Sequence, residues 1–163
     1  MKIFLHTVLR DIPYLKDCDD ELISSLAASM KIDFLEPGAI IYKPGDTQEA
    51  MMIIQHGHVV LQTELDNSCV TLENLSRGAI LGAYTFLVAD LNMVSAVCKT
   101  PVYIITMERK RFTELVYPNK TLLKRLLEIQ EDLLTTATNQ MVLDFINIRH
   151  EIEIPRKKKK LVG

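Results

Sequence analysis

Between Asp19 and Met30 the apolar residues Leu22, Ile23, Leu26 and Met30 recur at spacings of three and four, which lays them on one helical face. Asp19 stands where an N-cap belongs, with Asp20 and Glu21 in the first turn. From Ile32 the period changes to short β-branched or apolar runs. Turn signals punctuate these runs at Pro37-Gly38, Pro44-Gly45-Asp46, His56-Gly57, Asp66-Asn67 and Arg77-Gly78. The segment "AVCKTPVYIITMER" adds two more strands, split at Pro101. Runs spaced by about eight to twelve residues predict a compact antiparallel barrel or roll. From Lys110 the helical period returns. "KRFTELVYP" predicts a short helix ending at Pro118, and Asn119 caps a long one striped by Leu122, Leu126, Ile129 and Leu133. The expected fold is α+β: a jelly-roll-like antiparallel β-roll of about eight strands over about 32–108. An N-terminal helix and two C-terminal helices, the latter over about 110–148, flank it. Residues 1–150 form one domain, followed by a basic, disordered tail at 151–163.

Composition narrows the class. The chain has 163 residues, 48% hydrophobic and 25% charged, the balance of one ordinary folded domain. A formal net charge of −2 gives no global attraction to nucleic acid, and no nucleic-acid partner is expected. The local exception is "RKKKK", Arg156 to Lys160. A solvated end is its default reading, then contact with an inner membrane leaflet, then a nuclear signal. Cys18, Cys69 and Cys98 are odd in number and far apart, which disfavours a disulfide framework or zinc site and fits a reducing compartment. "MKIFLHTVLR" is interrupted by His6 and Arg10 and is too short for a signal or a span. No run reaches the length of a membrane crossing, although the chain would also suit a piece cut from a membrane protein.

Candidate chemistry is sparse. His56 and His58 flank Gly57 without a Cys or acidic partner at ligand spacing, so turn histidines are expected and no metal. Asp19-Asp20 and Glu131-Asp132 read as a cap and a solvated face rather than acid/base pairs. No G-x-S-x-G motif occurs, and no enzyme is expected. The stretch "RGAILGAYTFLVADLNMVSAV" is different. Gly78 and Gly82 stand four apart and lead into one helical turn, the layout of a backbone cradle for a phosphate. Yet no Arg or Lys follows Arg77 in it, and no carboxylate precedes Asp90. Turns between roll strands need φ > 0 with or without a ligand, so a structural role for both glycines is favoured beside the cradle reading.

"EPGAIIYKPGD" (Glu36 to Asp46) resembles the second-strand signature P-G-x-x-I-x-x-x-G-D of the cyclic nucleotide-binding domain family. "MMIIQHGHVVL" resembles its next strand pair, joined at Gly57, and residues 78–94 fall where that family has its phosphate-binding cassette. The resemblance covers roughly residues 9 to 135. It implies that Leu81 and Gly82 shape the cassette, with the backbone of Ala83, Tyr84 and Thr85 donating to the cyclic phosphate. It also implies a Glu after the glycine for the ribose and an Arg ten residues beyond that glycine for the phosphate. This sequence has Ala83 and Asn92 there, followed by Met93 and Val94. Leu133 and Leu134 fall where the long helix would cover the base.

A lost charge-assisted phosphate contact costs roughly 1.5–3 kcal/mol and a lost hydroxyl bond about 0.5–1.5. Together they weaken binding roughly thirty- to a few-thousand-fold. Asn92 and the Thr85 hydroxyl remain as neutral donors, so cAMP or cGMP is expected as a weak ligand at most, with no other cofactor. Restoring both charges by Ala83→Glu with Asn92→Arg is expected to raise affinity at least about tenfold.

"IPYLKDCDDELISSLAASMKIDFLEPG" is similar to the corresponding part of hyperpolarisation-activated and cyclic-nucleotide-gated channels, and the sperm-type sodium/proton exchangers are the specific resemblance drawn. That implies a cytoplasmic regulatory domain of a plasma-membrane protein, flagellar or ciliary in the exchanger case. Its partner would be the rest of that transporter or channel, with homo-oligomerisation through the parent. Bacterial regulators of the fold carry a DNA-reading module, for which fewer than twenty residues follow Asp144. Two functions stay open: a ligand-responsive regulatory module, including a cAMP-gated channel domain, or a ligand-independent interaction module.

Overall fold

The computed structural model describes residues 2–88 and 91–135. Two helices lead the chain, where one was expected. α1 (Lys2–Arg10) buries Leu5, Val8 and Leu9, a stripe that its internal His6 and Arg10 do not break. Arg10 then ties α1 to the next turns of the chain by donating to the carbonyls of Lys16 (2.9 Å) and Cys18 (2.5 Å) and by pairing with Asp20. α2 (Asp20–Ser29) starts as its sequence predicts, with the Asp19 carboxylate accepting from the Leu22 N–H at 2.7 Å. It buries Ile23, Leu26 and Ala27.

Eight strands come next, with one helix among them. They are β1 (Met30–Leu35), β2 (Ile40–Tyr42), β3 (Ala50–His56), β4 (Val59–Leu65), β5 (Ser68–Leu75), β6 (Ile80–Leu81), β7 (Ser95–Cys98) and β8 (Val102–Glu108). The inserted helix is α3 (Ala83–Val88). All pairings are antiparallel and make two four-stranded sheets, ordered β1-β8-β3-β6 and β2-β7-β4-β5. This is the expected roll.

Alternation in β8 explains how one sheet serves two cores. Ile105 and Met107 pack with the helices, whereas Val102 and Ile104 face the interior between the sheets. β3 divides likewise, Ile53 to the helical side and Ile54 to the roll. The β4–β5 hairpin closes on Asp66 and Asn67, both at positive φ, with Leu65 opposite Ser68. Two short side chains that tolerate this conformation permit the tight turn.

After β8 come α4 (Arg109–Leu115) and α5 (Lys120–Thr135). The Asn119 side chain accepts from the Leu122 N–H at 2.9 Å, the cap expected from sequence. Leu122 and Leu126 are buried in the helical core. The remainder of the long helix, to about 148, and the basic tail at 151–163 lie outside the described residues. No helix among the described residues is long and apolar enough to cross a membrane.

Candidate functional site

The cassette hangs from a two-residue strand. β6 pairs Leu81 with Met52 and Ile80 with Ile53, and Gly82 at φ +59° then turns the chain into α3. The Phe86 N–H closes that turn on the Gly82 carbonyl at 2.9 Å. Phe86 is buried and meets Phe112 of α4 edge-on, with ring centroids 4.9 Å apart. The return segment comes back beside the β2–β3 loop. There Asn92 receives the Gly45 N–H on its carbonyl at 2.8 Å and donates its own N–H to the Asp46 carbonyl at 2.9 Å.

One side chain absent from the sequence reading occupies the centre of this arrangement. Gln48, 3% exposed, lies over Gly82. A Cβ added at Gly82 would fall 2.6 Å from the Gln48 carboxamide carbon and 2.7 Å from its nitrogen. That nitrogen donates to the Leu81 carbonyl at 2.6 Å. The Asn92 amide, 4% exposed, donates to Gln48 Oε1 at 3.4 Å and to the Asp46 carbonyl at 3.2 Å. The glycine therefore does what a cradle glycine does and admits a close neighbour. The neighbour is the protein's own amide.

Arg109 fixes the same loop from behind. Its guanidinium donates to the carbonyls of Phe86 (2.6 Å) and Gln48 (2.5 Å) and lies 4.4 Å from the centre of the Phe86 ring. The Arg109 backbone N–H bonds to the Glu49 carbonyl at 3.0 Å. Thus α3, the Gln48 loop and the first residue of α4 share one cation.

On the roll side, Tyr42 is buried and its phenol takes a hydrogen bond from the Gly82 backbone. Burial, partly opposed by that bond and reinforced by the Glu73 charge, pushes its pKa up to about 12. Registers place Tyr42 opposite Ala96, Ala96 opposite Leu61, and Leu61 opposite Glu73. These four residues form one row across the second sheet. Tyr42, Ala96 and Leu61 contribute to the roll core, so Glu73 shares their face. Burial pushes the Glu73 carboxyl up.

The residues expected from sequence are distributed unevenly. Leu81, Gly82 and Asn92 converge through Gln48, and Ala83 and Thr85 are buried on α3. Tyr84 lies on the α3 backbone. Val94 is half-buried against the roll core, whereas Met93 is 63% exposed. The neutral bond expected from Asn92 to a ligand is committed internally, because its amide already faces two protein acceptors. Leu133 and Leu134 fall in the last turn of α5, and the covering role expected of them concerns side chains outside the described set. Sequence reasoning missed Gln48, Tyr42, Glu73 and Arg109. Only Tyr42 carried a signal, as the last apolar position of a strand leading into a turn.

Two antiparallel sheets with a glycine-led helical insertion before β7 define the cyclic nucleotide-binding fold. Residues 32–118 match the family described as "Cyclic nucleotide-binding domain", and the chain belongs to that family. It is 25% identical over 112 residues to the cGMP-dependent protein kinase, isozyme 1, of Drosophila melanogaster, covering 66% of this chain and 15% of that protein. Among solved structures it is similar to a mutant regulatory subunit of a cAMP-independent protein kinase A from Trypanosoma brucei bound to cAMP in the A site. The TM-score is 0.73 at 21% identity, over 89% of this chain and 51% of that one. The Trypanosoma cruzi regulatory subunit of a cAMP-independent protein kinase A bound to guanosine gives 0.73 at 18% identity, over 90% and 50%. The chain thus spans about half of these regulatory subunits and a small part of the kinase.

Proposed function

We propose that this domain is a non-enzymatic regulatory module whose cassette is held shut by its own side chains, so that cAMP and cGMP bind weakly or not at all. The carrying observation is the Gln48 carboxamide seated on Gly82 and bonded to both Leu81 and Asn92. A cyclic phosphate would have to displace that amide without the Arg and Glu side chains that family members supply at positions 92 and 83. Each bond lost between buried groups costs about 1–3 kcal/mol unless the ligand replaces it. The Trypanosoma cruzi neighbour, described as cAMP-independent and bound to guanosine, supports a family member that departs from cyclic phosphate.

The parent is, in this reading, a plasma-membrane cation transporter of the sodium/proton exchanger type or a related channel. The support is the similarity of residues 12–38 to such domains. In that setting the roll and helices act on the rest of the parent from the cytoplasmic side. The locked cassette favours transmission by docking over transmission by cyclic nucleotide.

Titration calorimetry with cAMP and with cGMP tests the ligand claim. Dissociation constants in the millimolar range, or no heat, are expected; a sub-micromolar constant for either overturns it. For the parent, membrane fractionation of the endogenous protein is expected to place it with plasma membranes. Recovery in the soluble fraction contradicts that part alone.

A further inference from the structure

The second sheet carries an apolar stripe on the face turned away from the roll. Val59, Ala96 and Cys98 fill the roll, so by alternation Val60 and Val97 lie on the outer face. Registers put Ile40 opposite Val97 and Val97 opposite Val60, one row across three strands. The alternation runs on ahead of β7. Asn92 and Val94 turn inward, which leaves Leu91, Met93 and Ser95 on the side of Val97. A sheet face open to water ordinarily carries polar residues. Here Val60 is buried, Met93 is 63% exposed, and Ile40 and Leu91 are each about half exposed. From Leu91 to Val97 the stripe is about 20 Å long at the rise of an extended strand. Exposed apolar strips of this kind mark docking sites.

The chain itself supplies an occupant of matching length. Residues 141–152, outside the described residues, read "MVLDFINIRHEI". Met141, Phe145, Ile148 and Ile152 recur at spacings of four, three and four, with Val142 and Ile146 beside them, the period of a helix with one apolar face. A helix of that length spans about 17 Å. The preceding "TATN", Thr136 to Asn139, is weak in helix propensity and ends on a residue suited to an N-cap, so it reads as a link. Reach is sufficient. α5 packs on the helical core through Leu122 and Leu126, and stacked sheets lie about 10 Å apart. From Leu126 to Thr135 the helix advances about 14 Å, and the extended link adds up to about 14 Å more, enough to pass the edges of both sheets. Charge sets the direction: Lys99 is exposed just past the Val97 end of the stripe, and Glu151 and Glu153 stand at the C-terminal end of the segment.

We propose that residues 141–152 seat on this stripe of their own chain as an amphipathic helix, with Met141 towards Leu91 and Ile152 towards Val97. The seat lies on the outside of the roll, yet it bears on the cassette. Leu91 and Met93 flank Asn92, whose amide holds Gln48, so an occupied stripe braces the return segment from the far side.

Limited trypsin digestion of the whole chain, followed by mass spectrometry, tests the seat, because cleavage tracks the population of the open form. Arg149 lies inside the segment, whereas Arg156 to Lys160 follow it and serve as the internal reference. Met93→Asp and Ile40→Asp alter exposed positions, and each variant is checked as folded by its thermal melt. Both are expected to speed the cut at Arg149 at least about tenfold, with the cuts at 156–160 unchanged. Thr71→Asp, in the polar row Ser95–Gln62–Thr71 of the same face, is expected to leave the Arg149 rate alone. An Arg149 rate that neither stripe variant changes, or that Thr71→Asp raises equally, overturns the inference. Protection of Arg149 that fades on dilution of wild type gives the stripe to a second copy and overturns the seat within one chain.

Discussion

Gln48 has a polar side chain at 3% exposure in a loop, and its bonds to Leu81 and Asn92 explain how it stays there. Gln48→Ala removes a donor and an acceptor from a buried cluster, so a loss of about 1–3 kcal/mol in unfolding free energy is expected from urea titration. The same change uncovers Gly82. The seated amide also alters what restoring the charges can achieve. Ala83→Glu with Asn92→Arg leaves Gln48 in place, so the two charges alone are expected to give less than about a tenfold gain in cAMP affinity. Adding Gln48→Gly is expected to carry the gain beyond that factor, as a charge-assisted phosphate contact implies. Calorimetry on the double and triple variants separates these outcomes, and a full gain in the double variant would mean that Gln48 does not obstruct.

Glu73 supplies a pH test at the same scale. Its folded pKa is shifted up by burial, so the folded state holds a proton more firmly than the unfolded chain does. That contribution is complete below the unfolded value for a carboxyl and disappears as pH rises through the folded value. Glu73→Gln is therefore expected to melt higher than wild type at neutral pH, with the gap closing under acid conditions. Identical melting differences at both pH values would show that the carboxylate is fully solvated.

At the scale of elements, the ties of α3 among the described residues are specific ones. α3 is a six-residue helix, attached through Gly82, the Phe86–Phe112 contact and the Arg109 guanidinium. Since Arg109 also opens α4, this side chain couples the cassette to the C-terminal helices. Arg109→Ala leaves the Phe86 and Gln48 carbonyls without their cation and is expected to destabilise the domain by about 1.5–3 kcal/mol. Hydrogen exchange should quicken in residues 82–88 and in the Gln48 loop before it quickens in β3 or β8. Uniform acceleration through the roll would argue that Arg109 acts on the fold as a whole.

For the whole molecule, the order of helix, roll and helices was legible because each boundary has a local cause. Asp19 and Asn119 cap helices through their own side chains, and Gly38, Gly45, Gly57 and Gly78 take the positive φ that their turns need. The cassette position was legible for the same reason, as were the missing charges at Ala83 and Asn92. What fills the cassette was not. Gln48 meets Leu81 across 33 residues of chain, and no local pattern encodes such a contact. Glu73 was hidden by a register shift between Leu61 and Gln62. Plain alternation through Val70 and Leu72 turns Glu73 outward, and the shift turns it to face the roll with Leu61. α1 was missed because its charged positions masked the stripe of Leu5, Val8 and Leu9.

If the protein's own amides occupy the place where family members hold a cyclic phosphate, added nucleotide should leave those amides undisturbed. Two-dimensional NMR can follow the Gly82 backbone amide and the Gln48 and Asn92 side-chain amides while cAMP is added to millimolar concentration. All three signals are expected to stay in place through the micromolar range, with the side-chain amides keeping the slow solvent exchange of buried donors. Saturable shifts of all three at micromolar cAMP would contradict the locked cassette, because the ligand would then be taking the position assigned to Gln48.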